Sequence, residues 1–371
     1  MSDSKEPMRY EPVPYADLPY DAVLVVSFGG PEGPDDVMPF LENVLRGKNV
    51  PRERMLEVAE HYQHFGGVSP INQQCREFIA ALEADLTAEG PQLPIYWGNR
   101  NWDPILPDTL ARMADDGVRR AIAVFTSTFS CYSGCRQYRE NIAAAQAEVG
   151  DRAPRIEKLR MPYNHPGFIG ANAEHLAEKL SAIPEDRRGD ALVLFTAHSI
   201  PMSMAENCRY EKQLNEASRL VAEAVGHDRW ELVYQSRSGP PQQPWLEPDV
   251  CDHIEARHAG GDLKDVVVMP IGFVSDHMEV LFDLDTEAAE LCEKLGVGFG
   301  RASTVSVHPK WIGTIRELIV ERIATEAGEA PERPALGELG PSHDVCPENC
   351  CLYTPTRPPG VGRPAGAGRP A

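Results

Sequence analysis

Two stretches of the chain put proton- and metal-handling side chains directly after apolar runs. In VLFTAHSIPMS, His198 ends such a run and precedes a Ser–Ile–Pro turn. An imidazole there can serve as a base or a metal ligand near neutral pH, because its ordinary pKa is about 6.5. Capping of the following helix is the plainer alternative. In VVVMPIGFVSDHMEVLFDLDTE, Asp276, His277, Glu279, Asp283 and Asp285 fall within ten residues. If Ser275 onward is helical, Glu279 and Asp283 share a face at i and i+4, and Asp276 stands a turn before Glu279. A ladder of carboxylates of this kind can pass a cation inward and take protons in return. Acids also collect at helix starts because of the backbone dipole. That accounts for Asp276 better than for Asp283.

Three further stretches carry weaker signals. TSTFSCYSGCRQYREN combines hydroxyls, Cys131, Cys135, Arg136 and Tyr138; its small residues suit a wall against a flat ligand, with Arg136 able to meet a carboxylate. HYQHFGGVSPIN sets Ser69 and Asn72 at a helix start, where free N–H groups could hold an anion, although a plain loop and cap has the same pattern. DVCPENCCLY puts Cys346, Cys350 and Cys351 within six residues. Thiolates this close suit a soft metal or an iron–sulfur cluster. Four ligands are usual, so one is missing locally. A structural Zn²⁺ site would use the same ligands, and unpaired surface thiols are the bland reading. Cys75, Cys208, Cys251 and Cys292 lie in apparent helices and read as packing residues.

These side chains need elements to hold them. Seven short apolar runs are followed by Gly, Ser or Pro: 22–27, 94–98, 121–127, 191–197, 230–235, 266–271 and 299–305. Segments with helical spacing alternate with them, among them 72–89, 139–148, 170–180, 215–225 and 286–295. This alternation predicts an α/β fold whose parallel sheets are flanked by helices, with ligands beyond the carboxyl ends of the strands. A length of 371 residues implies two domains of about 150 residues each. We divide the chain into a disordered leader at 1–20, domains at 21–165 and 166–328, and a tail at 329–371 that holds the cysteine cluster and ends in disorder. The Pro-, Gly- and Arg-rich end cannot bury enough apolar surface to order itself.

A net charge of −20 makes nucleic acid or an acidic membrane surface a poor major partner. An anionic small molecule would need a local cluster of arginine and lysine. The longest apolar runs fall far short of the ~20 residues of a membrane span. The amino terminus lacks the basic flank and apolar core of a secretory signal. A cytoplasmic, reducing location follows as the expectation, in which nine cysteines are free thiols, catalytic groups or metal ligands.

Taken together, SFGGPEGPDDVMPFLENVLRG, HFGGVSPIN, YWGNRNWDP, TAHSIP, QSRSGPPQQPWLEPD and PIGFVSDHMEVLFDLD resemble the ferrochelatases, in order, from Asp21 to Leu318. The resemblance implies two Rossmann-like domains around a porphyrin cleft and insertion of ferrous iron, the substrate metal, into a tetrapyrrole. It is closest to the bacterial branch that converts coproporphyrin III to coproheme; use of protoporphyrin IX is the alternative. By this resemblance His198 is the metal-binding histidine and proton acceptor, and Glu279 its acidic partner. Ser69 and Tyr138 contact the porphyrin, Arg46 lies near a propionate, and Asp276 and Asp283 would relay charge. Phe28 stands where some relatives carry an iron-ligating tyrosine, and phenylalanine cannot ligate. A four-carboxylate porphyrin needs basic anchors, for which Arg46, Lys48, Arg52, Arg100 and Arg136 are available. The resemblance also implies a [2Fe–2S] cluster on Cys346, Cys350, Cys351 and one internal cysteine, Cys135, with Cys131 as the alternative. It leaves room for a haem-pathway protein partner. A non-catalytic haem or porphyrin carrier and a cobalt or nickel chelatase are the competing readings; a carrier has no need of the acid ladder.

Overall fold

The computed structural model describes residues 18–46 and 50–353. Residues 1–17 of the expected leader, Lys48 and residues 354–371 of the tail lie outside them. Among the described residues, eight strands form two four-stranded sheets: β1 (Ala22–Ser27), β2 (Ile95–Asn99), β3 (Arg120–Phe125) and β4 (Arg155–Lys158) in the order β2-β1-β3-β4, then β5 (Leu192–His198), β6 (Trp230–Gln235), β7 (Asp265–Met269) and β8 (Gly298–Arg301) in the order β6-β5-β7-β8. Every neighbouring pair is parallel. Strands β1 and β7 are buried along their whole length, as continuous Val-rich runs must be when helices cover both faces of a sheet. The α/β class with helix-flanked parallel sheets is therefore as expected.

Several details differ from the sequence reading. Strand β4, RIEK, was not expected, because a charged edge strand carries no apolar run. The helix expected from Ser275 starts instead at Met278 and then widens into a π-helical stretch at Leu281–Ala288 before continuing as Ala289–Leu295. Cys208 lies between helices rather than in one.

The helices read as amphipathic. Ile71–Glu89 buries Ile71, Cys75, Phe78, Leu82 and Leu86, a three-to-four-residue stripe. The last helix, Pro309–Glu326, packs on both Ile71–Glu89 and Pro166–Ser181, joining the two lobes. Its approach to the latter requires Gly167, where a Cβ would stand 2.2 Å from Thr314 Oγ1 and 2.6 Å from the Lys310 carbonyl. Arg316 on this helix reaches Asp85 at 2.8 Å.

Beyond the last helix the chain runs back over the body. Arg160, in the segment between β4 and Pro166, donates to Glu321 of the last helix through Nε (2.7 Å) and Nη2 (2.9 Å), and to the Pro334 carbonyl at 3.0 Å. Arg333 also reaches Glu321, at 3.2 Å, and holds Asp344 at 2.9 Å. The Asn164 side chain donates to Leu336 O, Tyr163 Oη to Gly340 O, and the N–H groups of Glu338 and Leu339 to the Glu216 carboxylate. This strap thus crosses the seam between the lobes. Arg160→Ala would leave a buried carboxylate short of its main partner, so it should cost about 3–5 kcal/mol in urea unfolding, whereas Arg160→Met combined with Glu321→Leu should recover most of that loss.

Candidate active site and thiol cluster

His198 is the last residue of β5 and stands in register with Gln235, the last of β6. The loop after β7 lies against the end of β5 because residue 272 is glycine: a Cβ there would be 2.6 Å from the Ala197 Cβ. That close approach carries the next turn to His198, so Glu279 Oε1 comes to 3.7 Å from His198 Nε2. The other ring nitrogen, Nδ1, meets the carbonyl of Ser199, so the ring caps no helix. Gln235 Nε2 donates to the Glu279 carbonyl at 3.0 Å and to Asp283 Oδ2 at 3.2 Å. The Ser236 hydroxyl donates to the same Asp283 oxygen. Its backbone sits at φ 61°, a region that non-glycine residues seldom occupy and that is found at sites where a side chain must be aimed.

These neighbours set the charges. Burial alone would lower the pKa of His198, but the adjoining Glu279 carboxylate outweighs it and raises the value to about 9. Burial likewise works against ionised Glu279, and His198 overrides it, holding that carboxyl near 2. Asp283 goes the other way, up to about 7, chiefly through burial, with Glu279 adding to the rise and the Ser236 hydrogen bond opposing it. His277 is lowered by burial; its Nδ1 accepts the Glu279 N–H at 3.2 Å. One site therefore holds a proton on His198 beside an ionised Glu279, and a second group poised near neutrality.

Asp276 is placed differently. Arg301 grips it with two hydrogen bonds (3.2 and 3.3 Å), Thr304 donates to it at 3.1 Å, and Arg301 also binds Asp285 at 2.6 Å. It precedes the helix rather than occupying its first turn, and its N–H donates to Gln74 of the first lobe at 2.8 Å. The acids brought together beside His198 are Glu279 and Asp283. Gln235, Ser236 and Arg301 complete the arrangement and were missed from sequence; the QSRSGPPQQPW motif marked the first two without assigning them a role.

The first lobe meets this acid site directly. The His61 ring stacks on Phe282 with centroids 3.8 Å apart, and the hydroxyl of Tyr62 is pushed up by burial and by Glu279. Deeper in the same lobe, the Arg100 guanidinium lies over both Tyr138 (4.4 Å) and Phe28 (5.5 Å), and its Nε donates to Asn141 at 2.8 Å. Ser69 is buried against Gly30, while Arg46 is exposed just beyond the helix Val37–Val44. Arg136 is committed elsewhere, to Glu140 and to the carbonyls of Glu348 and Cys350 in the strap. Arg52 pairs with Glu42 at 3.8 Å. Asn72 does not free a helix terminus for an anion; its amide ties Gly30, Glu32 and Asp103 together.

The strap delivers Cys346, Cys350 and Cys351 to Cys135. Sγ–Sγ separations are 3.9 Å for Cys135–Cys351 and 3.6 Å for Cys350–Cys351. Cys346 hydrogen-bonds Cys135, and that contact together with burial pushes its thiol up to about 12. Cys131 instead accepts the Gly134 N–H at 3.0 Å. The donor atoms of His343, Cys346 and Cys350 lie within 4.8 Å of one another. Among the described residues no helix is long and apolar enough to cross a membrane.

Against known proteins, a family model described as Ferrochelatase matches residues 20–323. The chain is 63% identical over 353 residues to a ferrochelatase of Rhodopirellula baltica, covering 94% of this chain and 98% of that one. It is 49% identical over 380 residues to a coproporphyrin III ferrochelatase of Streptomyces griseus, with 98% of each covered. A coproporphyrin III ferrochelatase of Mycolicibacterium smegmatis is 50% identical over 309 residues, covering 82% of this chain and 91% of that one. Among solved structures, SirB from Bacillus subtilis with Fe³⁺ matches with a TM-score of 0.52 at 13% identity, covering 83% of this chain and 97% of that one, a likeness of fold.

A carboxyl with a raised folded-state pKa costs stability once the pH exceeds its unfolded value, about 3.9 for Asp, and the full cost applies above the folded value. For Asp283 that folded value is about 7. Asp283→Asn is therefore expected to melt higher than the parent at about pH 8, with the gap closing as the pH falls below about 4. Thermal unfolding at a series of pH values measures this.

Proposed function

Since the chain belongs to the ferrochelatase family, we propose that it inserts ferrous iron into coproporphyrin III to give coproheme, working through His198 and Glu279. The enzyme is a metal-chelating lyase. The observation that carries the residue assignment is the His198–Glu279 pair, 3.7 Å apart at the end of β5 with Asp283 beside it. A carrier would have no use for three titrating groups held at such different proton affinities.

Insertion exchanges one dication for two pyrrole protons. With no metal bound, His198 carries a proton beside ionised Glu279, and an arriving Fe²⁺ displaces it. As iron passes to the ring nitrogens, His198 takes back one pyrrole proton, and Asp283, close to neutrality, accepts the other. Charge in the pocket then stays nearly constant through the step, so no unbalanced charge builds up as the protons leave. Phe28 offers no oxygen to the metal, so iron delivery rests on the His198 face. Ser69 and Tyr138 would line the porphyrin. Arg46 and Arg100 would meet its carboxylates, since Arg136 and Arg52 are otherwise engaged. Asp276, held by Arg301, would take part in the relay by orienting the loop before Glu279.

The coproporphyrin assignment draws on the relatives named for that substrate. Domain limits of 21–165 and 166–328 are part of the same reading, one sheet falling in each. We assign Cys135, Cys346, Cys350 and Cys351 as ligands of a [2Fe–2S] cluster. The Cys135–Cys351 Sγ separation of 3.9 Å fits two thiolates on one metal, an edge of about 3.8 Å for metal–sulfur bonds of about 2.3 Å. When bound, such a cluster supplies a one-electron centre; the insertion steps use none.

With porphyrin affinity measured separately, His198→Ala and Glu279→Gln should each lower kcat by about 10²–10⁴-fold; near-normal turnover in both would refute the assignment. Coproporphyrin III assayed beside protoporphyrin IX should give the higher kcat/KM. Anaerobically purified protein should show visible charge-transfer bands that Cys135→Ser removes, whereas a zinc site would be colourless.

A further inference from the structure

The strap brings one donor more than a four-ligand centre needs. His343 Nε2 is 3.7 Å from Cys350 Sγ, and the imidazole shares a common approach distance with Cys346 and Cys350. The turn that presents it is fixed on both sides. Lys158 Nζ donates to the His343 carbonyl at 3.2 Å, and Arg333 holds the Ser342 carbonyl at 2.8 Å and the Asp344 carboxylate at 2.9 Å. Lys158 thus ties this turn to the body of the protein, and Arg333, itself in the strap, braces it from both neighbours of His343.

The five donors also divide by depth. Cys135 and Cys351 are 2% and 5% exposed, Cys346 and Cys350 are half-buried, and His343 is open to solvent. Cys351 adopts φ 54°, a left-handed backbone, and its Sγ lies 3.6 Å from that of Cys350 and 3.9 Å from that of Cys135. The inner side thus has two donors, while the outer side has three. Imidazole nitrogen replaces thiolate at iron and at zinc without a change in coordination number.

Resting on the reading of these thiols as a metal centre, we propose that His343 is an alternate ligand of the outer metal position, able to stand in for Cys350. The centre then tolerates loss of its outer thiolate but not of an inner one. The ligand class is an iron or zinc ion that accepts mixed thiolate and imidazole donors.

The test compares the full-length parent, Cys350→Ser, His343→Ala, the two combined, and Cys135→Ser, all purified anaerobically. Iron, zinc and acid-labile sulfide per chain are measured, together with visible absorption and circular dichroism. Expected are retention of most metal by each outer single variant, shifted bands in Cys350→Ser alone, and loss of metal in both the double variant and Cys135→Ser. A Cys350→Ser protein as empty as the double variant overturns the role of His343 and leaves the cluster reading intact. So does a double variant that keeps as much metal as Cys350→Ser, since the serine oxygen would then suffice. A parent that contains neither iron, zinc nor sulfide overturns the thiol reading itself and this proposal with it.

Discussion

The guanidinium of Arg160 is almost wholly removed from solvent, and the Glu321 carboxylate that it grips is 6% exposed. Taking two charges out of water costs several kcal/mol each, and only a two-pronged contact with further hydrogen bonds offsets this. The seam between the lobes supplies those conditions at one place, where the inter-lobe segment, the last helix and the strap meet. A shift of any of the three by one residue would strand a buried charge. The pair therefore sets the register of the strap, and through it the position at which the tail thiols meet Cys135.

At the other centre, proximity decides the electrostatics. Gly272 lets the loop after β7 rest on β5, and this brings a carboxylate to an imidazole. Their mutual attraction overrides burial at both groups, while Asp283, facing hydroxyl and amide donors instead of a cation, follows burial. A protein with 20 excess negative charges draws a dication toward it and repels a polyanionic porphyrin. The two substrates thus need opposite local fields. The acids sit on the second lobe, and Arg46 and Arg100 on the first.

Much of this could be read from the sequence because it is local. Buried parallel strands announce themselves as apolar runs, and β1 and β6 have the limits read from the pattern. His198 and Glu279 stand out because each follows such a run. What escaped depends on partners far along the chain. The grip of Arg301 on Asp276, 25 residues away, has no local signature. The i, i+4 spacing assumed an ordinary helix where the backbone widens into a π-helical stretch. Gln235 and Ser236 carry no charge to attract notice. Cys135 lies 216 residues from Cys351, and only the family resemblance, not spacing, pointed to it.

The order of these groups along the chain has a consequence for biosynthesis. Both sheets and the last helix are complete by Glu326, and they leave the ribosome before any of Cys346, Cys350 and Cys351 does. Lobes fold as they emerge, so the cleft can close around its own core while Cys135 still waits. Gathering of the four thiols then follows the folding of both sheets, and a chain interrupted between Glu326 and Cys346 would carry the His198–Glu279 pair without the tail thiols.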